Sequence, residues 1–236
     1  MREPLPLLSV RSVAKWFGDF QALRAIDFSV RDGEILGLIG PNGSGKTTLL
    51  ECLAGLQPTN DGEVLARGAR LSPRRRRTMM FYVPENVVPY PERRVREVLA
   101  FLADVYRQPV TDDIVSVLGL SPVLEKRVTQ LSKGERRRLL LAIGLSTPHP
   151  LLLMDEPFDG LDFRQTREVM AVLRGLAAQG RTLILAVHQL VDAERVCDRF
   201  VLLSHGCVVG EGTLTELQGR AGRAGGSLED VCVALS

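Results

Sequence analysis

The stretch Gly40-Pro41-Asn42-Gly43-Ser44-Gly45-Lys46-Thr47-Thr48 follows the apolar run Ile35–Ile39 and opens a helical pattern that ends near Gly55, with Pro58 beyond it. Few loops are so constrained. Glycines let successive backbone N–H groups turn inward, where side chains would intrude, and the helix beginning at Lys46 points its positive end at the same spot. G-x-x-x-x-G-K-[ST] between a buried strand and a helix is the pattern of a phosphate-binding loop. The Lys46 ammonium supplies a charge for the β- and γ-phosphates and the Thr47 hydroxyl can ligate Mg²⁺.

A second constraint lies 109 residues downstream. Leu151-Leu152-Leu153-Met154 is apolar enough for a central strand, and it ends in Asp155-Glu156-Pro157. Open α/β sheets place ligands at the carboxyl ends of their strands, so this acidic tip belongs beside the phosphate loop. Strand side chains alternate between faces, which lets Asp155 look toward a metal while Glu156 addresses a water. A strand-end acidic pair capping the next helix is the plainer alternative.

Around these two points strand and helix patterns alternate to about residue 204: a helix from Gly134, another over 164–178, a strand over Thr182–Val187. Alternation of this kind predicts a parallel sheet covered by helices. Upstream, Leu23–Val30 and Ile35–Ile39 read as a half-buried and a fully buried strand joined by a tight turn. Val95, Val98, Leu99, Leu102, Val105 and Tyr106 recur at helical spacing and predict a helical insert over about 86–147. The expected division is a main domain over 1–218, then a flexible glycine-rich joint and a short helix over 219–236.

Composition excludes several classes. Thirty basic against 28 acidic residues give a net charge of +2, and aromatics make up 5% of the chain, which speaks against nucleic-acid binding. No apolar stretch is long enough to span a bilayer, since Leu139–Met154 is broken by Thr147-Pro148-His149-Pro150. The N-terminus lacks a signal-peptide pattern. Cys52, Cys197, Cys207 and Cys232 show no metal spacing and read as buried free thiols. The arginine runs Arg74–Arg77 and Arg136–Arg138 read as solvated helix faces, the second facing solvent or a partner subunit.

Taken in order, these motifs resemble the nucleotide-binding subunit of ATP-binding cassette (ABC) transporters over nearly the whole chain. Leu131-Ser132-Lys133-Gly134-Glu135 falls where that family has its LSGGQ signature, Phe158–Asp162 resembles its D-loop, and His188 occupies its switch-histidine position. Phe17 matches the aromatic that stacks on adenine, with Trp16 beside it as the rival. The resemblance implies an α/β P-loop NTPase core with a mostly parallel sheet, an N-terminal antiparallel β subdomain and an inserted α-helical subdomain. It implies ATP and Mg²⁺ as cofactors, with Thr47, Glu85 and Asp155 at the metal and Glu156 and His188 in catalysis. Gly40 to Thr48 and Phe17 would hold the nucleotide. Ser132, Gly134, Glu135 and Asp162 would meet the nucleotide of a second ATPase subunit, in a homo- or heterodimer. By the residues alone, Ser132 is as well explained as a helix cap, and a lone strand-end histidine as a structural group. Further partners would be membrane permease subunits, placing the chain peripherally on the cytoplasmic face of the membrane. A soluble ATPase of translation or DNA maintenance is the alternative.

Two departures stand out. Glu85, in Tyr82-Val83-Pro84-Glu85, replaces the family's glutamine, losing an amide donor and adding a charge. Lys133 and Glu135 replace a glycine and a glutamine of the signature. These changes, with the closing Ser227–Val231, resemble the exporter branch that handles drugs, lipids and polysaccharides.

Overall fold

The structure, a computed structural model, describes residues 5–235. In chain order its elements are β1 (Leu8–Phe17), β2 (Phe20–Val30), β3 (Ile35–Ile39), α1 (Lys46–Ala54), β4 (Asp61–Ala66), β5 (Ala69–Arg70), α2 (Pro73–Met79) and β6 (Met80–Val83). There follow α3 (Val95–Tyr106), α4 (Asp112–Val117), two 3₁₀ turns (Ser121–Val123 and Val128–Gln130) and α5 (Lys133–Leu145). The remainder is β7 (Leu151–Asp155), α6 (Phe163–Ala178), β8 (Thr182–Val187), α7 (Leu190–Val196), β9 (Arg199–Ser204), β10 (Cys207–Gly212), α8 (Leu214–Ala221) and α9 (Leu228–Leu235).

Among the described residues two sheets form. A four-stranded antiparallel sheet runs in the order β2-β1-β4-β5, and a six-stranded sheet in the order β10-β9-β3-β8-β7-β6. The larger sheet is parallel except for the edge strand β10. Every residue of β3, β7 and β8 is buried, as strands covered on both faces require. Alternation then sorts their side chains. Leu36, Leu38, Leu151, Leu153, Ile184 and Ala186 pack with α1 and the antiparallel sheet; Ile35, Leu152, Met154, Leu183 and Leu185 pack on the other face with the remaining helices.

Helix α1 ends at Gly55, whose φ of 73° is left-handed. The N–H groups of Gly55 and Leu56 cap the carbonyls of Cys52 and Glu51, and α2 adds further donors at this end. Arg76, expected in solvent, is 6% exposed and donates to the carbonyls of Cys52 (2.9 Å) and Leu71 (3.3 Å). Arg77 donates through two nitrogens to the Gly55 carbonyl. Of the run, Arg74, Arg75 and Arg77 remain exposed, as expected, and Arg76 does not. No disulfide joins the four cysteines; Cys52 and Cys197 are buried, and Cys207 and Cys232 are half-buried rather than buried.

The helical stretch is joined to the sheet edge by a ring cluster: Phe81 of β6, Tyr106 of α3 and His149, with centroids 5.5 to 6.5 Å apart. Near the C-terminus the expected joint at 219–226 does not begin at 219, because α8 continues to Ala221 and closes on a left-handed Gly222. The turn beyond is tied by Gln218 Nε2, which donates to the Gly226 carbonyl, and Ser227 accepts from the Asp230 N–H to start α9. Leu228 and Val231 of α9 are fully buried. No described helix is long and apolar enough to cross a membrane.

Candidate functional site

The loop Gly40–Gly45 leaves the carboxyl end of β3 and delivers the chain into α1. Its glycines answer to different demands. A β-carbon on Gly40 would lie 2.2 Å from the Leu203 carbonyl oxygen, and one on Gly45 would lie 2.9 Å from that of Ala22. Gly43 has open space around it, but its φ of +80° favours glycine. Lys46 is 7% exposed and its Nζ donates to the carbonyls of Gly40 (2.6 Å) and Pro41 (3.2 Å). Burial pulls its pKa down, against the opposing pull of Glu156 and Asp155. The Ser44 hydroxyl is buried without a partner.

The strand tip comes to the same place. Asp155 is 2% exposed, and its Oδ2 accepts hydrogen bonds from Thr47 Oγ1 (2.7 Å) and from the Tyr82 hydroxyl (3.2 Å). Glu156 follows with a left-handed φ of 50°, a strained backbone for a residue with a β-carbon. Its N–H donates to the Ala186 carbonyl of β8 at 2.9 Å, which holds the kink in place. Its carboxylate meets His188 twice, at Nδ1 (2.6 Å) and at the backbone N–H (3.3 Å). Burial raises the pKa of Glu156, and the bonds from His188 and the charge of Lys46 hold it back.

Loop and strand tip border a cleft of about 300 Å³. Phe17 lines it and Trp16 does not. Phe20, paired with Phe17 across the β1–β2 turn, lines it too and was not foreseen; its exposed ring one turn from Phe17 was the available signal. Lys15 Nζ sits 4.8 Å from the centroid of Phe17, so a cation already covers part of that ring. Glu85 also reaches the cleft. His188 contacts Glu156 yet borders a neighbouring cavity, on the side of the loop occupied by Gly40–Asn42.

Ser132, Gly134, Glu135 and Asp162 lie outside this cleft. Ser132 caps α5: its Oγ accepts from the Glu135 N–H (3.2 Å) while Glu135 Oε2 accepts from the Ser132 N–H (2.8 Å). A β-carbon on Gly134 would lie 2.5 Å from the Gly160 carbonyl oxygen, so backbone touches backbone there. Asp162 caps α6, its Oδ1 accepting from the Gln165 N–H at 2.8 Å. The two signature departures have partners within the chain: Lys133 pairs with Asp159 at 2.6 Å and Glu135 with Lys126 at 3.0 Å. The run Arg136–Arg138 does not face solvent as a whole. Arg137 is 3% exposed, and Arg138 donates to the carbonyls of Leu118 and Gly119, closing the end of α4.

Comparison with known proteins decides what this arrangement belongs to. The ABC transporter family profile matches residues 23–159, more than half of the chain. The chain belongs to the ABC transporter family. It is 34% identical over 218 residues to the Nod factor export ATP-binding protein I of Rhizobium meliloti, covering 89% of this chain and 65% of that protein. It is 33% identical over 217 residues to a sulfate/thiosulfate import ATP-binding protein of Synechocystis, covering 88% and 61%. The chain thus spans less than two thirds of the length of these relatives. A solved structure described as the ATP-binding subunit of an ABC transporter superposes with a TM-score of 0.90 at 30% identity, covering 97% of this chain and 99% of that one.

As an ABC transporter ATPase subunit the chain takes ATP, and its residues fit that ligand. The open space at Gly43, the partnerless Ser44 hydroxyl and the Lys46 ammonium surround the spot that the start of α1 faces. Thr47, Asp155 and Glu85 offer hard oxygen donors, the type a small divalent cation takes. Tyr82 is the other unforeseen member of this ABC transporter site. Its role depends on β6 lying beside β7, a pairing 71 residues apart that local pattern does not reveal.

Proposed function

We propose that this ABC transporter subunit works as half of an ATP-clamped dimer, driving separate membrane permease subunits from the cytoplasmic face. The observation that carries the reading is the contact of Thr47 Oγ1 with Asp155 Oδ2 at 2.7 Å, which brings the phosphate-gripping loop and the acidic strand tip to one point.

Lys46 and the backbone N–H groups from Gly43 to Thr48 grip the β- and γ-phosphates, and Phe17, with Phe20 beside it, receives the adenine. Thr47, Asp155 and Glu85 hold Mg²⁺, which when bound neutralises phosphate charge. Magnesium keeps most of its shell as water and phosphate oxygen and asks the protein for only one or two carboxylates. Glu156 orients or deprotonates the attacking water, and His188 holds Glu156 in line. Ser132, Gly134 and Glu135 of one subunit, with Asp162 nearby, close over the γ-phosphate held by the other. The helical stretch over 86–147 carries opening and closing to the membrane subunits.

Relatives named for export and for import are about equally similar, and both favour transport over a soluble role. Export rests on Lys133, Glu135 and the Ser227–Val231 segment. The test is a crystal grown with Mg²⁺ and a non-hydrolysable ATP analogue. Phosphates at Lys46 and a cation at Thr47 and Asp155, with the signature of a second subunit over them, are expected. An analogue bound elsewhere overturns the reading.

A further inference from the structure

Arg137 is a buried charge that the ATP site does not explain. It sits on the second turn of α5, is 3% exposed, and is surrounded by protein. One guanidinium nitrogen donates to the Pro84 carbonyl at 2.7 Å, another to the Asp155 carbonyl, and Nε has no partner. Two neutral carbonyls are poor compensation for burying a full positive charge. The balance comes from four carboxylates around it, Asp155, Asp159, Glu156 and Glu85. Glu85 and Asp159 share with it the walls of a small cavity at the root of α5, which the cations Lys133 and Arg136 also line. Burial draws its pKa down to about 10, so it stays charged at neutral pH.

The geometry has a consequence for the reaction. Pro84 immediately precedes Glu85, and Asp155 immediately precedes Glu156. A single planar guanidinium, whose donors diverge at fixed angles, therefore sets the spacing of the two segments that carry the acids of the site. Its backbone belongs to the helix that begins at the signature Ser132. We propose that Arg137 is a positioning residue: it fixes the Glu85 segment and the Asp155–Glu156 tip to the signature helix and balances the charge that Glu85 brings in place of an amide. The inference rests on the ATPase reading but not on Glu85 ligating magnesium, since it uses only the charge of that side chain.

The test compares four full-length chains: wild type, Arg137→Gln, Glu85→Gln and the double variant. In nucleotide-free protein, Arg137→Gln should lower the melting temperature by about 4–8 °C and speed amide exchange over 85–88 and 156–160. In the Glu85→Gln background the same change should cost less than that shift, because one of the four acids facing the guanidinium is gone. With ATP and Mg²⁺, Arg137→Gln should lower kcat about tenfold with KM changed less than about threefold, and in the Glu85→Gln background the drop in kcat should shrink to about threefold. Arg137→Lys, keeping the charge without the fork, should recover part of the melting shift. Equal losses in both Glu85 backgrounds, or no change on Arg137→Gln, overturn the proposal. If Arg137→Gln does not fold, the double variant must fold; its failure also overturns it. A magnesium titration of Glu85→Gln separately decides whether Glu85 is a ligand.

Discussion

Gly134 and Gly160 meet so closely that a β-carbon on Gly134 would lie 2.5 Å from the Gly160 carbonyl oxygen. The first turn of α5 and the loop after Glu156 thus touch through backbone, and the ion pair Lys133–Asp159 spans the same contact. Any side chain at 134 must push one of them aside. Gly134→Ala is expected to cut ATP turnover by about tenfold or more while lowering the melting temperature by only about 2–4 °C. Steady-state kinetics beside a thermal melt check it, and unchanged turnover would show the contact to be idle.

Glu156 is held by His188 and sits one residue past Asp155, and the role proposed for it is that of a base. Glu156→Gln is expected to lower turnover by about 10²–10⁴, the usual contribution of a general base, with ATP affinity kept. Binding measured by titration calorimetry and turnover measured by phosphate release separate the two effects. Normal turnover would remove Glu156 from the chemistry.

The pH profile should report the same carboxyl. Burial lifts its pKa above the usual 4.5, while His188 and Lys46 oppose the lift. A base acts when ionised, so kcat/KM should fall on the acid side with a midpoint above that value. His188→Ala removes the imidazole bond that favours the carboxylate, keeps the backbone one, and should move the midpoint to higher pH. For stability the sign is opposite to that of a salt-bridged acid. The folded state binds the proton more readily than the unfolded one, so this carboxyl costs stability as pH rises from 4.5 through its folded pKa. An acid limb that does not move on His188→Ala would contradict the pairing.

Glu85 lines the cleft with Asp155 and Glu156. Glu85→Gln keeps the shape and one carbonyl oxygen while removing a charge, so half-maximal turnover should require several-fold more Mg²⁺. A magnesium titration at saturating ATP measures this. Coincident curves would mean that Glu85 holds no metal.

The elements that position the site were legible where their signals are local. The phosphate loop, the apolar strand before Asp155, the strand Thr182–Val187 and the helix Leu228–Leu235 each announce themselves in a few consecutive residues. What escaped depends on partners remote in sequence. Arg76 and Arg137 look like members of solvated runs, yet each is buried, Arg76 over the carbonyl end of α1 and Arg137 between the Pro84 and Asp155 carbonyls of two segments distant in sequence. Tyr82 bonds Asp155 only because β6 pairs with β7. Phe20 is the exception, a near neighbour of Phe17 that the tight β1–β2 turn sets opposite it. The left-handed backbone of Glu156 has no compositional mark, since it is imposed by the Ala186 carbonyl of the neighbouring strand.

The ammonium of Lys46 rests on the peptide oxygens of Gly40 and Pro41. The side chain is thereby tethered across the turn it belongs to. A force on its charge acts on the peptide groups of Gly40 and Pro41, which directly follow β3.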